Sequence, residues 1–448
     1  MNYIDIGEQH KLLLDFSDYL KTTMRLKLEE FLQGKITFYE FPSKQLFNIW
    51  GLNIGDNWKR SVYITDINKA ILVPKIKIDE ECSLVLGIQI EKESFTTRNN
   101  VLEQLSKAIA YTLSEAFRKG CRYSLPLVGD NLIKLFMSYY LAKGNYNWSL
   151  IYHAIDYFIS LRTTSFEGSN FSTGMILSKS GHDYAKGISI KRPGNLFALS
   201  RSFKESLLSN KIDRRIWYLV DGFHSYYLTD QYLKLRDVYI THNINENSIY
   251  SDYVKSYTMF DTLMGSDILF RIESAKELSI ITSESIIFRY HENHWMYRDL
   301  NSIANLINKY SGMDENTIKH LTYCIMTCSK NNISSIICIP KSNDEIEHSP
   351  ILLNKQRQTS TIININDENY VPLVMRYLSS DGATIIDTKG NILYQGCFVN
   401  LNKNDQKGLH GTGETAANLL SQLGTVFKIS QDGTIKMFMN EKENCIML

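Results

Sequence analysis

The run Ser334-Ser335-Ile336-Ile337-Cys338-Ile339 is short, apolar and continuous rather than alternating. A strand of that kind is one covered on both faces, so the chain around it must supply two layers of helix. Helical periodicity does surround it. Residues 300–310 and 315–329 read as helices, the second placing Ile318, Leu321, Ile325 and Met326 on one side. Gly312 between them suits a C-terminal helix cap. Downstream, the pattern predicts a strand over 361–365, a helix over 371–378, and a hairpin of 384–387 with 392–394 around Thr388-Lys389-Gly390-Asn391. A helix over 414–423 and a hairpin over 426–438, turning at Gln431-Asp432-Gly433, close an α/β unit of mixed sheet flanked by helices.

The rest is less legible. At 448 residues the chain exceeds one ordinary core, and three domains are expected: a helix-rich, mixed region over 1–165, a β-rich region over 166–295, and the α/β unit over 296–440. In the first, helix is expected through residue 50, then strands at 60–65, 70–76 and 82–90 and helices at 101–119, 131–142 and 151–162. In the second, strands are expected at 172–177, 187–191, 216–220, 238–240, 268–272, 278–281 and 286–290, with helices over 203–208 and 257–264.

Lys plus Arg number 49 against 48 acidic residues, and no dense basic run occurs, so there is no strong nucleic-acid signal. The opening Met1-Asn2-Tyr3-Ile4-Asp5 lacks a basic, then apolar, leader, and no stretch is long and apolar enough to span a bilayer. The expectation is a cytoplasmic protein with its seven cysteines as reduced thiols. Cys324 and Cys328 share a helical spacing, and His291, Glu292 and His294 share a turn. Buried thiols and solvated turn residues are favoured over metal ligands, because no matching further ligands accompany them. His182-Asp183 and Lys191-Arg192 read as exposed loops.

Asp381-Gly382-Ala383 follows the helix over 371–378 and leads into a strand with Ile385, Ile386, Gly390, Ile392 and Leu393 behind it. About thirty residues on, Gly411-Thr412-Gly413-Glu414-Thr415-Ala416-Ala417 opens a helix. In this order and context the two segments resemble the signatures of the diadenylate cyclase (DisA N-terminal domain) superfamily: an Asp-Gly-Ala turn, then Gly-Thr-Arg-His-Arg-Ala-Ala. The closing hairpin from Val426 to Ile435 is similar as well. The resemblance implies a nucleotide-binding fold whose enzymes join two ATP molecules into cyclic di-AMP. It places Asp381 by the ribose 3′-hydroxyl and a Mg2+ or Mn2+ ion, and the phosphates at the helix start. It also implies a nucleotide site of Asp381, Gly382, Ala383, Gly411, Thr412, Gly413, Glu414 and Thr415.

The departure is chemical. Where the family carries Arg-His-Arg, this chain carries Gly413-Glu414-Thr415. Losing one charge-assisted contact to a transferring phosphoryl group costs ~2–4 kcal/mol, so losing the set removes several orders of magnitude in rate. Lys403, Lys407 and His410 are candidates to compensate. Backbone N–H groups at a glycine-rich helix start still suit an anion, whereas Glu414 would repel a triphosphate set directly against it. The expected function is a sensor of an adenine nucleotide or cyclic dinucleotide in a bacterial defence or signalling system, with an effector protein or a second copy as partner and no cofactor. The alternatives are a divergent cyclase using Asp381 as catalytic residue and metal ligand, and a structural subunit.

A weaker pattern lies upstream. Ser172-Thr173-Gly174-Met175-Ile176-Leu177 leading to Asp221-Gly222-Phe223 echoes Ser334–Ile339 leading to Asp381-Gly382-Ala383 at similar spacing. The middle region is therefore also read as a degenerate copy of the last one, lacking a Gly-Thr turn.

Overall fold

The computed structural model describes residues 6–42, 50, 62–66, 69–72, 84–91, 100–118, 125–163, 172–179, 194–199, 214–241, 263, 265–355, 361–401, 412–439 and 445–448. The fold is α/β. It divides into two compact units, one of Met1–Asn243 with Phe260–Arg298, the other of Ile244–Met259 with Asp299–Leu448. The expected segments at 187–191 and 203–208, the loop residues His182, Asp183, Lys191 and Arg192, and nearly all of the expected helix 257–264 lie outside the described residues.

In the first unit, helices α1 (Ile6–Tyr19) and α2 (Arg25–Leu32) are joined by a π turn over Leu20–Met24. Helix stops there, because Gln33 takes φ 53° and strand β1 (Lys35–Pro42) begins; the expectation of helix through residue 50 is corrected. Ile36 and Phe38, both buried, alternate with more exposed neighbours, a period of two inside what reads as a helical stretch. β1, β2 (Val62–Asp66), β3 (Lys69–Leu72) and β4 (Leu84–Glu91) form an antiparallel sheet in the order β1-β4-β3-β2. Helices α3 (Asn100–Arg118), α4 (Leu125–Ala142) and α5 (Trp148–Leu161) follow.

The second sheet of this unit holds β5 (Thr173–Leu177), β6 (Gly194–Ala198), β7 (Ser225–Thr229), β8 (Leu235–Thr241), β9 (Ile268–Ser274), β10 (Glu277–Thr282), β11 (Ile286–His291) and β12 (His294–Asp299). Their order is β12-β11-β10-β9-β5-β7-β8-β6. The expected strand over 216–220 is instead a 3-10 turn, Arg214–Leu219, whose Trp217 is fully buried against Phe158 and Tyr227. A single apolar core runs from Phe16 to Tyr297, so residues on both sides of position 165 pack together.

The second unit opens with α6 (Leu300–Ser311), capped by the Asp299 carboxylate accepting from the Ser302 N–H and ended by Gly312 at φ 66°. Helix α7 (Glu315–Lys330) is capped in the same way by Asp314. Strand β13 (Ser335–Pro340), helix α8 (Asn343–His348), β14 (Leu352–Leu353), helix α9 (Val371–Leu378), β15 (Ala383–Ile386), β16 (Ile392–Val399), helix α10 (Thr412–Leu420), β17 (Gly424–Ile429), β18 (Ile435–Phe438) and β19 (Ile446–Met447) complete it. The sheet order is β14-β16-β15-β13-β17-β18-β19. The expected strand 361–365 reduces to one bridge, Asn364 to Asn391. Both expected hairpins form, turning at Gly390 (φ 83°) and Gly433 (φ 83°), positions where a side chain would be strained.

The two sheets repeat one topology. In each, a helix pair leads to a strand, β5 or β13. That strand pairs in parallel with the strand after an Asp-Gly turn, β7 or β15, and antiparallel with β9 or β17 on its other side. The order β6-β8-β7-β5-β9-β10 matches β14-β16-β15-β13-β17-β18 strand for strand.

Candidate functional site

Strand register decides where the two motifs of the second unit lie. Lys436 pairs with Lys428, Lys428 with Ile336, Ile336 with Ala383, and Ala383 with Cys397. These five residues form one row across the sheet, and residues in a row point to the same face. That face carries α10, whose Ala417 and Leu420 pack with Cys338, Ala383, Ile385 and Val426. Helix α6 lies on the opposite face, where the Thr425 hydroxyl donates to the Tyr310 carbonyl. Lys428 and Ala383 are two strand spacings apart, about 10 Å. The Asp-Gly-Ala turn and the start of α10 therefore occupy the same end of the sheet.

Asp381 sits exposed after the last turn of α9 and accepts from the Gly382 N–H at 3.0 Å. Gly382 takes φ +93°, and a Cβ there would come within 2.7 Å of the Gly396 carbonyl carbon, so both conformation and space require glycine. Ala383, 1% exposed, begins β15. Thr412 is exposed at the start of α10, and Gly411 lies outside the described residues. So do the proposed compensators Lys403, Lys407 and His410.

Gly413 packs on Lys428: a Cβ at this glycine would stand 2.8 Å from the lysine Cε and 3.5 Å from its Nζ. Lys428 is 7% exposed, and its ammonium donates to the Ser334 hydroxyl and the Ile429 carbonyl, both at 2.7 Å. Burial lowers its pKa, an effect that the Glu414 and Asp432 carboxylates oppose. Glu414 is ion-paired with Lys436. Thr415, in the first turns of α10, is buried at 4% exposure. Cys445 lies in the field of the same pair; burial pushes its thiol up, Lys436 opposes this and Glu414 adds to it.

The sequence reading missed Lys428 and Lys436. Their signal was available in the Asp432-Gly433 turn, which sets Ile429 opposite Ile435 and hence the two lysines opposite each other. Two lysines thus meet two carboxylates here, Lys436 paired with Glu414 and Lys428 in the field of Glu414 and Asp432.

No group of three or more His, Cys, Asp or Glu side chains suited to a metal occurs among the described residues. Asp381 offers one carboxylate. Mg2+-type ions are held by one or two carboxylates with water and substrate phosphates, so Asp381 fits as a share of such a site and not as a site alone. Elsewhere, Glu292 pairs with Lys276 at 2.8 Å, and His294 faces Glu30 at 3.5 Å. Cys324 and Cys328 are both fully buried in α7.

No protein-family model matches this chain, and neither does any curated protein. Among solved structures it is similar to a hypothetical membrane spanning protein from Bacillus cereus, at 16% identity and a TM-score of 0.27 over 33% of this chain and 70% of that one. Among the described residues of the present chain, no helix is long and apolar enough to cross a membrane.

Proposed function

We propose that the second unit is a degenerate diadenylate cyclase-like domain that binds an adenine nucleotide or cyclic dinucleotide and reports its presence, without efficient cyclase activity. The observation that carries this reading is the row Lys436–Lys428–Ile336–Ala383, which brings the Asp381 turn and the Gly413 helix start to one end of the sheet. Asp381 is exposed and available to a ribose hydroxyl, while the partly neutralised lysine pair suits fewer phosphate charges than an in-line triphosphate carries. The setting follows from the resemblance: a cytoplasmic bacterial defence or signalling system, with an effector protein or a second copy as partner.

A thermal-shift series with ATP, ADP, AMP and cyclic di-AMP tests it. A ligand at a hundred times its Kd adds ~2.7 kcal/mol to stability, a clear rise in Tm. A flat response to all four removes the reading and favours a structural role. The exposure of Asp381 keeps one alternative open, a slow cyclase. Incubation with ATP and Mg2+ or Mn2+ decides it, since cyclic di-AMP that disappears in Asp381→Asn establishes an enzyme.

A further inference from the structure

The repeated topology allows the two Asp-Gly turns to be compared residue by residue. In the second unit, Ile336 of the central strand lies between Lys428 and Ala383. In the first, Gly174 pairs with Arg271, and the pairing of Met175 with Tyr227 sets Tyr226 on its other side. Arg271 therefore stands where the second copy has Lys428, and Tyr226 where it has Ala383. The faces correspond too. Phe270, Met175 and Tyr227 pack with the preceding helices, which leaves Arg271 and Tyr226 on the opposite face.

The space between these positions is filled in the first copy. The Tyr226 ring is fully buried, 2.8 Å from where a Gly174 Cβ would sit, and its hydroxyl donates to the Phe223 carbonyl. The Phe223 ring lies against the Arg271 guanidinium, 5.1 Å from centroid to Cζ. Arg271 is ion-paired with Glu273, at 1% and 6% side-chain exposure. The turn also differs in length. Gly382 leads directly into Ala383, whereas Phe223, His224 and Ser225 intervene between Gly222 and Tyr226. The Asp221 carboxylate accepts from the N–H groups of all three, at 2.9, 2.7 and 2.9 Å, and from the His224 ring at 2.6 Å.

We propose that residues 173–282 are a second, closed copy of the nucleotide fold, in which Asp221 has become the clasp of an extended turn and the buried Tyr226 ring stands at the position that the small Ala383 holds in the other copy. The chain then carries one ligand site, at Asp381, and the first copy serves as its scaffold. This rests on the nucleotide reading above for the ligand, and on geometry alone for the closed turn.

Two measurements on the full chain test it separately. Isothermal titration with ATP and with cyclic di-AMP counts sites. One per chain, lost in Asp381→Asn and retained in His224→Ala, is expected; two per chain, or a site that survives Asp381→Asn, overturns the proposal. The second measurement needs no ligand, so it stands even where no nucleotide binds and the nucleotide reading itself fails. Asp221→Asn lowers the unfolding midpoint of the first unit, whereas Asp381→Asn leaves unfolding unchanged. Equal effects of the two substitutions overturn the division of roles.

Discussion

The Asp221 clasp makes a prediction with a magnitude. Burial alone would raise this carboxyl, but hydrogen bonds from the Phe223, Ser225 and His224 N–H groups and the His224 ring outweigh it and hold the group at about 2, against 3.8 ordinarily. That difference is equivalent to roughly 2.4 kcal/mol in favour of the folded, ionised turn. The side chain is 43% exposed, so solvent screening reduces the useful part to about 1 kcal/mol. Because the folded value lies below the unfolded one, this stability is fully present above pH ~4 and is lost as the pH falls towards 2.

Asp221→Asn keeps the shape and removes the charge, so at pH 7 it costs about 1 kcal/mol, roughly 3 °C in Tm. All five tryptophans, Trp50, Trp58, Trp148, Trp217 and Trp295, fall within the first unit's ranges. Urea unfolding followed by tryptophan fluorescence therefore reads that unit. The gap between wild type and Asp221→Asn closes between pH 4 and pH 2. A variant as stable as wild type at pH 7, or a gap independent of pH, refutes the clasp.

Glu414→Gln releases Lys436 from its ion pair, and affinity for ATP rises about fivefold in low salt and less at high ionic strength, as titration at two salt concentrations would show. Gly382→Ala meets both a positive φ and the Gly396 backbone, so it destabilises the second unit by roughly 1–3 kcal/mol in chemical denaturation; a neutral result would mean that the turn is not as described. Burial pushes the thiols of Cys328 and Cys338 up to about 12 and that of Cys397 to about 11, so these resist an aromatic disulfide reagent at pH 8 until urea unfolds the chain. Rapid labelling of Cys338 in the native protein would contradict its place in the core.

Much of the second unit could be read from residues alone because its signals are local. The helix over 371–378 was legible from apolar spacing, and the two hairpins from Gly390 and Gly433, where only certain residues fit the backbone. The first unit was harder because its period conflicts with its context. β1 follows two helices with no proline or Asx break, and the Ile216–Val220 run, apolar enough for a strand, winds into a 3-10 turn so that Trp217 can enter the core.

The sequence by itself determined an α/β chain, the Asp-Gly turns, and the Gly413-Glu414-Thr415 helix start without arginine, since each depends on residue type over a few positions. Tertiary structure alone decided that Lys428 and Lys436 stand under the helix start, that Glu414 is already paired, and that the Tyr226 ring is buried against Gly174. Those relations join residues tens of positions apart through strand register. A pairing shifted by one residue would send every one of these side chains to the opposite face.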